Sequence, residues 1–140
     1  STKKVDVWIE FSSIETLLNF LKESKSEIES FLSESLSMRF DSNSYIKDGF
    51  LSLEELASRE KEQQTLMQKQ IVQQILIQEV KTLENGEIFV YTDRLLSIGK
   101  IKSVIALNLK ISLQKTNRTE ANPYGLILST VSTLEEKESK

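Results

Sequence analysis

Apolar side chains in the first half of the chain recur at the three- and four-residue spacing of an amphipathic helix. Two such stripes follow one another, formed by Ile14, Leu17, Leu18 and Leu21 and then by Ile28, Phe31, Leu32 and Leu36. The polar run at residues 22–26 separates the stripes, and turn-forming residues at 41–44 follow the second one. The pattern therefore predicts two consecutive helices, the second ending before residue 41.

A Ser-x-x-Glu sequence stands immediately before each stripe, as Ser12 with Glu15 and as Ser26 with Glu29. In such a capping box, the serine oxygen accepts a hydrogen bond from a free amide of the first helical turn. The glutamate side chain accepts one from the serine amide in return. The position of the two boxes supports two separate helix starts.

A third, shorter helix is predicted over residues 50–62. Its capping box is Ser52 with Glu55, and its inward face is expected to carry Leu53, Leu56 and Ala57. Residues 59–70 are rich in charged and amide side chains, which is typical of a solvated helix surface. We assign this run no chemistry.

From Ile71 onward the chain is rich in β-branched residues, which favour strands. Asn85 and Gly86 separate two such runs, and this dipeptide is a strong hairpin signal because both residues tolerate positive φ. The second strand extends to about Ile98, and Gly99 marks the next reversal. The first two strands are therefore expected to be antiparallel neighbours.

The third predicted strand, residues 101–114, shows the most regular alternation in the chain. Its odd positions are expected to form one buried face, namely Ile101, Ser103, Ile105, Leu107, Leu109, Ile111 and Leu113. At about 3.3 Å per residue the strand approaches roughly 45 Å, which is too long to stay flat. We expect a bend or bulge and a strongly curved sheet, which Leu126–Thr133 closes as the fourth strand.

This order of elements predicts an α+β fold in which three N-terminal helices pack on a curved four-stranded antiparallel sheet. A chain of 140 residues, 39% of them hydrophobic, suits one core. We therefore expect a single domain at residues 1–134 and a frayed tail at 135–140. The apolar-rich residues 5–11 are expected to dock onto the core.

The sequence Asn122-Pro123-Tyr124-Gly125, here called the NPYG turn, lies between the last two predicted strands. Pro123 is the only proline of the chain, and Gly125 is one of four glycines. Proline fixes φ and removes a hydrogen-bond donor, while a glycine two residues later can supply a positive φ. The four residues predict a defined surface turn at one edge of the sheet.

The amino-acid composition argues against several classes of enzyme and against a transition-metal site. The chain has no cysteine and no histidine, which removes thiolate catalysis and the commonest general base and transition-metal ligand. We therefore expect no catalytic residues, no metal site and no cofactor. Residues 81–120 carry seven basic and four acidic residues, far from a dense basic stripe, so nucleic acid is not an expected partner.

Three leading helices, an antiparallel meander and the NPYG turn before the last strand together resemble the soluble domain of VirB/TraE-type inner-membrane assembly factors. These proteins belong to bacterial type IV secretion and conjugation systems. The resemblance implies a cone of the nuclear-transport-factor and ketosteroid-isomerase kind. Many members carry an Asn-Pro-x-Gly motif at this place, with Tyr124 here at the variable position. The similarity covers about residues 12–134 and follows element order rather than identity.

This resemblance implies a non-enzymatic assembly role. Asn122, Pro123 and Gly125 would shape a turn, with Tyr124 beside them, that serves self-association or docking to other channel subunits. The domain would lie on the periplasmic side of the inner membrane. Membrane contact would come only through a helix preceding Ser1, because no run here approaches the roughly 18 apolar residues of a membrane span.

Two alternatives remain open. Another protein-binding domain would use Lys100, Lys102 and Lys110 to hold an acidic partner. An isomerase-like or small-ligand-binding enzyme of the same fold would need an acid–base pair, for which Tyr91 and Asp93 are the candidates because they share one strand face. An exposed position at the strand end is the competing explanation for this pair.

Overall fold

The computed structural model describes residues 14–83 and 87–134, with side chains from Glu23 onward. Its elements are α1 (Ile14–Phe40), α2 (Leu53–Gln68), β1 (Val72–Thr82), β2 (Ile88–Ile98), β3 (Ile101–Lys115) and β4 (Leu126–Thr133). Four expectations concern residues outside the described ones: the docking of residues 5–11, the capping serine Ser12, the Asn85-Gly86 turn, and the tail at 135–140.

The first two predicted helices are one continuous helix, so the prediction of three helices is wrong and the chain has two in its described part. Residues 22–26 contain no glycine or proline, and Lys, Glu and Ser are tolerated on an exposed helix surface. Ser26 is exposed in the middle of α1 rather than at a helix start. Residues 23–26 are all exposed, so the helix passes through the polar run in contact with solvent.

The predicted start of the last helix is confirmed. Ser52 is the N-cap of α2, and its hydroxyl accepts a hydrogen bond from the Glu55 amide at 3.1 Å. Of the predicted inward face, Leu56 packs against the core as expected, whereas Leu53 is 83% exposed and Ala57 is exposed too. Glu55 faces inward instead.

A buried ion pair explains why a glutamate occupies the inward face of α2. The Arg39 Nε of α1 donates to Glu55 Oε1 at 2.7 Å, and both residues are buried. Glu55 Oε2 also accepts from the Val131 amide of β4 at 3.0 Å. A buried charge needs such partners to offset its loss of hydration, so the two carboxylate oxygens join α1, α2 and β4.

The sheet has the predicted order, β1-β2-β3-β4, and each neighbouring pair is antiparallel. The bend or bulge expected in the third strand occurs instead as register shifts where the β2–β3 pair meets β1 and β4. The register shifts between Ile77 and Glu79 of β1, and again where β3 meets β4 at Ser112 and Leu113. The β2–β3 register runs without a shift from Ile88 to Ile98. Such bulges increase the local twist of a sheet.

The core lies between the inner face of the sheet and the C-terminal half of α1. Its buried members are Phe31, Leu32, Leu36, Met38, Phe40, Phe50, Leu51, Ile75, Ile88, Val90, Leu109, Ile111 and Leu128. Phe31 of α1 stacks on Phe50 with ring centroids 5.5 Å apart. Burying such large side chains supplies most of the favourable free energy of folding.

The connection between α1 and α2 covers both edges of the sheet. At the β1 edge, the Ser42 amide donates to the Gln73 carbonyl at 2.9 Å. At the β4 edge, the Leu128 amide donates to the Phe50 carbonyl at 2.7 Å, and Ser52 returns a bond to the Leu128 carbonyl at 3.0 Å. Covered edges cannot pair with a strand of another molecule at these positions.

The alternation predicted for β3 holds in only half of the strand. Leu109 and Ile111 are buried as expected, whereas Ile101 is 73% exposed, and Ser103 and Ile105 are exposed too. The helices cover the other half of the sheet, so the same inner face has no cover here. We call the helix-covered half the closed end, and residues 94–106 of the β2–β3 hairpin the open end.

Candidate interaction site at the NPYG turn

The NPYG turn reverses the chain between β3 and β4 as predicted. Gly125 has φ +66°, and its amide donates to the Asn122 carbonyl at 3.3 Å. A Cβ at this glycine would lie 2.8 Å from Arg118 Cγ and 3.0 Å from the Thr116 carbonyl oxygen. Both the positive φ and the close approach therefore favour glycine.

Asn122 holds the turn to the body of the domain. Its side chain is buried, and its Nδ2 donates to the Leu126 carbonyl at 2.7 Å and to the Gly49 carbonyl at 3.0 Å. Gly49 belongs to the connection between the two helices, so one amide group joins this connection to the start of β4. The residue positions the turn from within.

Tyr124 links the turn to α1. Its half-buried ring packs edge-on against Phe31 and Phe50, with centroids 5.6 Å and 6.1 Å away. Its hydroxyl donates to Glu34 Oε2. This hydrogen bond, together with partial burial and the negative charge of Glu34, raises the pKa of Tyr124 to about 12. The tyrosine therefore stays neutral and bonded across the physiological pH range.

Tyr124 and Gly125 of the turn line a groove against α1, and Pro123 lies next to it. Pro123 is exposed, and its carbonyl accepts a bond from Arg118 Nη1 at 3.1 Å. The Arg118 Nη2 approaches Glu27 Oε1 of α1 at 3.6 Å. The groove holds about 410 Å³ and is lined by Ser24, Glu27, Ile28, Lys115, Thr116, Arg118, Tyr124, Gly125 and Leu126. It offers apolar surface next to an exposed ion pair.

Sequence reasoning found the turn but missed the groove. Glu27, Glu34 and Arg118 carry no motif, and only the fold brings the helix beside the turn. The predicted helix that starts at Ser26 already holds both Glu27 and Phe31, so the missing information was the packing of this helix beside the turn.

The alternative catalytic pair does not lie over the core. Tyr91 and Asp93 alternate with the buried residues of β2, so they lie on the outer face of the sheet. Asp93 Oδ2 accepts from the exposed Gln78 amide at 3.1 Å, and Lys81 Nζ lies 5.7 Å from the centre of the Tyr91 ring. These contacts are those of an ordinary strand surface.

The three lysines of the acidic-partner alternative have different surroundings. Lys110 Nζ pairs with Glu87 Oε2 at 2.9 Å on the outer face. Lys100 and Lys102 are exposed at the open end, beside Gly99, whose φ of +59° makes the hairpin turn. Only the latter two share one surface.

Within residues 14–83 and 87–134, no group of three or more His, Cys, Asp or Glu side chains is arranged to hold a metal ion. None of the helices in this part of the chain is long and apolar enough to cross a membrane.

Comparison with known proteins identifies the fold. No protein-family model matches the chain, and no curated protein matches it. Among solved structures, the VirB8 protein of Agrobacterium tumefaciens is similar with a TM-score of 0.63 and 15% sequence identity. The similarity covers 84% of this chain and 96% of the VirB8 chain. The chain thus shares its α+β fold with VirB8.

Proposed function

We propose that this domain is a non-enzymatic structural component of a bacterial type IV secretion channel of the conjugative kind. It acts by self-association and by docking to other channel subunits. The observation that carries the proposal is an Asn-Pro-x-Gly turn before the last strand of a fold shared with VirB8. Residues 122–125 alone would not indicate a secretion component, because such turns occur in many hairpins. Their position before the last strand of this fold is what supports the proposal.

The geometry supports a docking role for the groove beside the turn. Asn122 and Tyr124 fix the turn from within, so Pro123 and Arg118 are presented on a pre-organised frame. A surface that is already ordered loses little conformational entropy on binding. The exposed guanidinium of Arg118 can exchange its long contact with Glu27 for a carboxylate of a partner.

We place the domain on the periplasmic side of the inner membrane, as in the family that it resembles. Membrane attachment would come from a helix preceding this chain in the whole protein. Catalysis has little support in this arrangement, because Tyr91 and Asp93 lie on the outer face of β2. A cysteine-free chain is compatible with an oxidising compartment.

The test measures binding of the purified domain to purified periplasmic domains of the other subunits of its own secretion system. Reversing the charge at the groove with Arg118→Glu is expected to weaken binding to at least one subunit by tenfold or more. Lys61→Glu is the matched control, since Lys61 is exposed on α2 and carries the same charge. Unchanged binding by the groove variant, or no binding to any subunit, would contradict the proposal.

A further inference from the structure

The open end exposes apolar side chains on the inner face of the sheet. Ile98, Ile101 and Ile105 are all more than 40% exposed there, at 46%, 73% and 43%. They lie on the same face as the buried Val90 and share its period-two alternation. We call this inner surface of residues 94–105 the mouth. A contiguous exposed apolar surface on a soluble domain is typical of a binding site.

Arg94 lies in the middle of the mouth. It is the register partner of Ile75 on β1 and of Ile105 on β3, so aliphatic side chains flank it on both sides. Its Nε is buried and has no hydrogen-bond partner, and within residues 14–83 and 87–134 its guanidinium forms no ion pair. A buried donor without a partner costs free energy, and a carboxylate bound at this guanidinium would offset that cost.

The charge around the mouth defines the chemistry of its occupant. The open end, residues 94–106, contains three basic residues, Arg94, Lys100 and Lys102, and no acidic one. Two mouths packed directly on each other would bring Arg94 and Lys100 of both copies together, and like charges oppose such a contact. The mouth therefore suits an apolar segment that carries carboxylates.

Such a segment exists in this chain. Residues 5–11 read Val-Asp-Val-Trp-Ile-Glu-Phe and combine five apolar side chains with Asp6 and Glu10. The two carboxylates are four residues apart, and three large side chains, Trp8, Ile9 and Phe11, provide apolar area. Aromatic anchors beside a charge are the residue types that dominate protein interfaces.

The segment cannot reach the mouth of its own molecule. Glu27 of α1 contacts Arg118, which follows the far end of β3, ten residues and about 33 Å beyond Ile105 at Lys115. From Glu27, helix α1 runs to Phe40, whose carbonyl accepts a hydrogen bond from Gln73 beside Leu96. Its remaining 13 residues back to Ile14 therefore extend in the opposite direction, away from the mouth. An extended chain from Ile14 to the middle of the segment, six residues, spans at most about 20 Å.

We propose that the mouth binds residues 5–11 of a second copy of the chain, with Asp6 or Glu10 pairing with Arg94. The inference rests on the self-association part of the proposed function, yet it uses a surface at the opposite end of the sheet from the NPYG turn. Each copy carries one mouth and one segment. Two-fold pairing would satisfy both at once and close the assembly as a dimer.

The first experiment is sedimentation equilibrium of the 140-residue chain across a concentration series. Arg94→Gln and Ile105→Thr are each expected to weaken self-association by tenfold or more. The matched controls are Lys110→Gln and Val104→Thr on the outer face of β3, which should change self-association less than twofold. Circular dichroism melting verifies that each variant is folded, and Ile105→Thr retains a β-branched residue.

The second experiment mixes two defective chains. Asp6→Asn with Glu10→Gln keeps the mouth but neutralises the segment, whereas Arg94→Gln keeps the segment but neutralises the mouth. Each is expected to be monomeric alone, and the mixture is expected to associate because one intact mouth meets one intact segment. A mixture that stays monomeric, a wild-type chain that never associates, or an Arg94→Gln chain that associates normally would each overturn the proposal.

A lipid surface is the other occupant that exposed isoleucines and basic residues would suit. Co-sedimentation with anionic phosphatidylglycerol vesicles tests it. If the wild-type chain binds these vesicles and Arg94→Gln does not, the mouth is a lipid site and the proposed contact is wrong. The expected result is no vesicle binding by either chain.

Discussion

The two ends of the β2–β3 strand pair differ in what covers their inner face. At the closed end, Ile111 of β3 is 1% exposed, in the core cluster that includes Phe31 of α1. At the open end, Ile101 of the same strand is 73% exposed, although both isoleucines lie on the inner face. Residue type, strand and face are the same, so the difference comes only from what lies opposite each residue.

The two ends are suited to different kinds of binding. At the closed end the helices, the connection between them and the NPYG turn form one packed unit, which holds the groove in a fixed shape. At the open end the hairpin carries apolar and basic side chains with no cover from the described residues. We infer that the closed end positions a docking groove, while the open end serves self-association.

The largest expected effect comes from truncating the two isoleucines. Ile111→Ala leaves a cavity in a close-packed core and is expected to lower the free energy of unfolding by about 2–5 kcal/mol. Ile101→Ala removes a side chain that is mostly in water and is expected to change it by less than about 0.5 kcal/mol. Urea unfolding followed by circular dichroism, at a concentration where the chain is monomeric, measures both. Similar losses at the two positions would show that the ends are covered alike.

The two hairpin glycines give the next effect. Gly125→Ala at the closed end forces an alanine to positive φ against a backbone oxygen and is expected to cost more than about 2 kcal/mol. Gly99→Ala at the open end has nothing within 4 Å of the added carbon, so only the conformational cost of about 1 kcal/mol remains. Urea midpoints compare the two variants. An equal loss of stability in the two variants would mean that Arg118 and Thr116 move away from the added carbon at no cost.

Substituting two serines tests whether α1 is one continuous helix. Ser52 is a true N-cap and serves as the reference, whereas Ser26 lies within α1. Ser52→Ala removes an N-cap and is expected to cost about 1 kcal/mol. Ser26→Ala, in the exposed middle of α1, is expected to stabilise the domain by a few tenths of a kcal/mol, because alanine is the better helix former. Thermal melting of both variants provides the measurement. A clear loss at Ser26 would restore the two-helix interpretation of residues 14–40.

The last effect depends on pH. Tyr124→Phe deletes the hydrogen bond to Glu34 and is expected to cost about 1 kcal/mol at neutral pH, since the pair is only partly buried. Folding raises the pKa of Tyr124 from 10.0 to about 12, so the neutral hydroxyl is favoured in the folded state. Its contribution is complete below pH 10 and is lost as the pH rises through about 12.

Urea titrations of wild type and Tyr124→Phe from pH 8 to 12 measure that change. The difference in stability between the two chains should be constant up to about pH 10 and then shrink. Because both chains contain the same lysines, their titration cancels in the difference. A difference that grows above pH 10 would show that Tyr124 does not donate to Glu34.

Much of the fold follows from local patterns. The strand order, the positive φ at Gly125 and the N-cap at Ser52 were all predictable, because each depends on a few neighbouring residues. The break between the first two predicted helices was wrong because the box at Ser26 is a chance match that a continuous helix accommodates. Serine and glutamate are common in this chain, and a capping box acts only where the helix actually begins.

The candidate site was less predictable because it depends on which elements meet. Alternation in β3 predicts which residues share a face, but not whether a helix covers that face. For the same reason nothing in the sequence marks Arg94 as unpaired or Glu27 as a neighbour of Arg118. Asn122 was predicted as a binding residue, and only the structure shows its side chain engaged with Gly49 and Leu126.

The most direct test of the account measures one variant from each end in both assays, self-association and docking. Arg118→Glu and Arg94→Gln are each measured for self-association by sedimentation and for docking to purified channel subunits. The account predicts that Arg118→Glu loses docking and keeps self-association, while Arg94→Gln loses self-association and keeps docking. If both variants lose the same activity, or neither loses any, the assignment of docking to the closed end and of self-association to the open end is wrong.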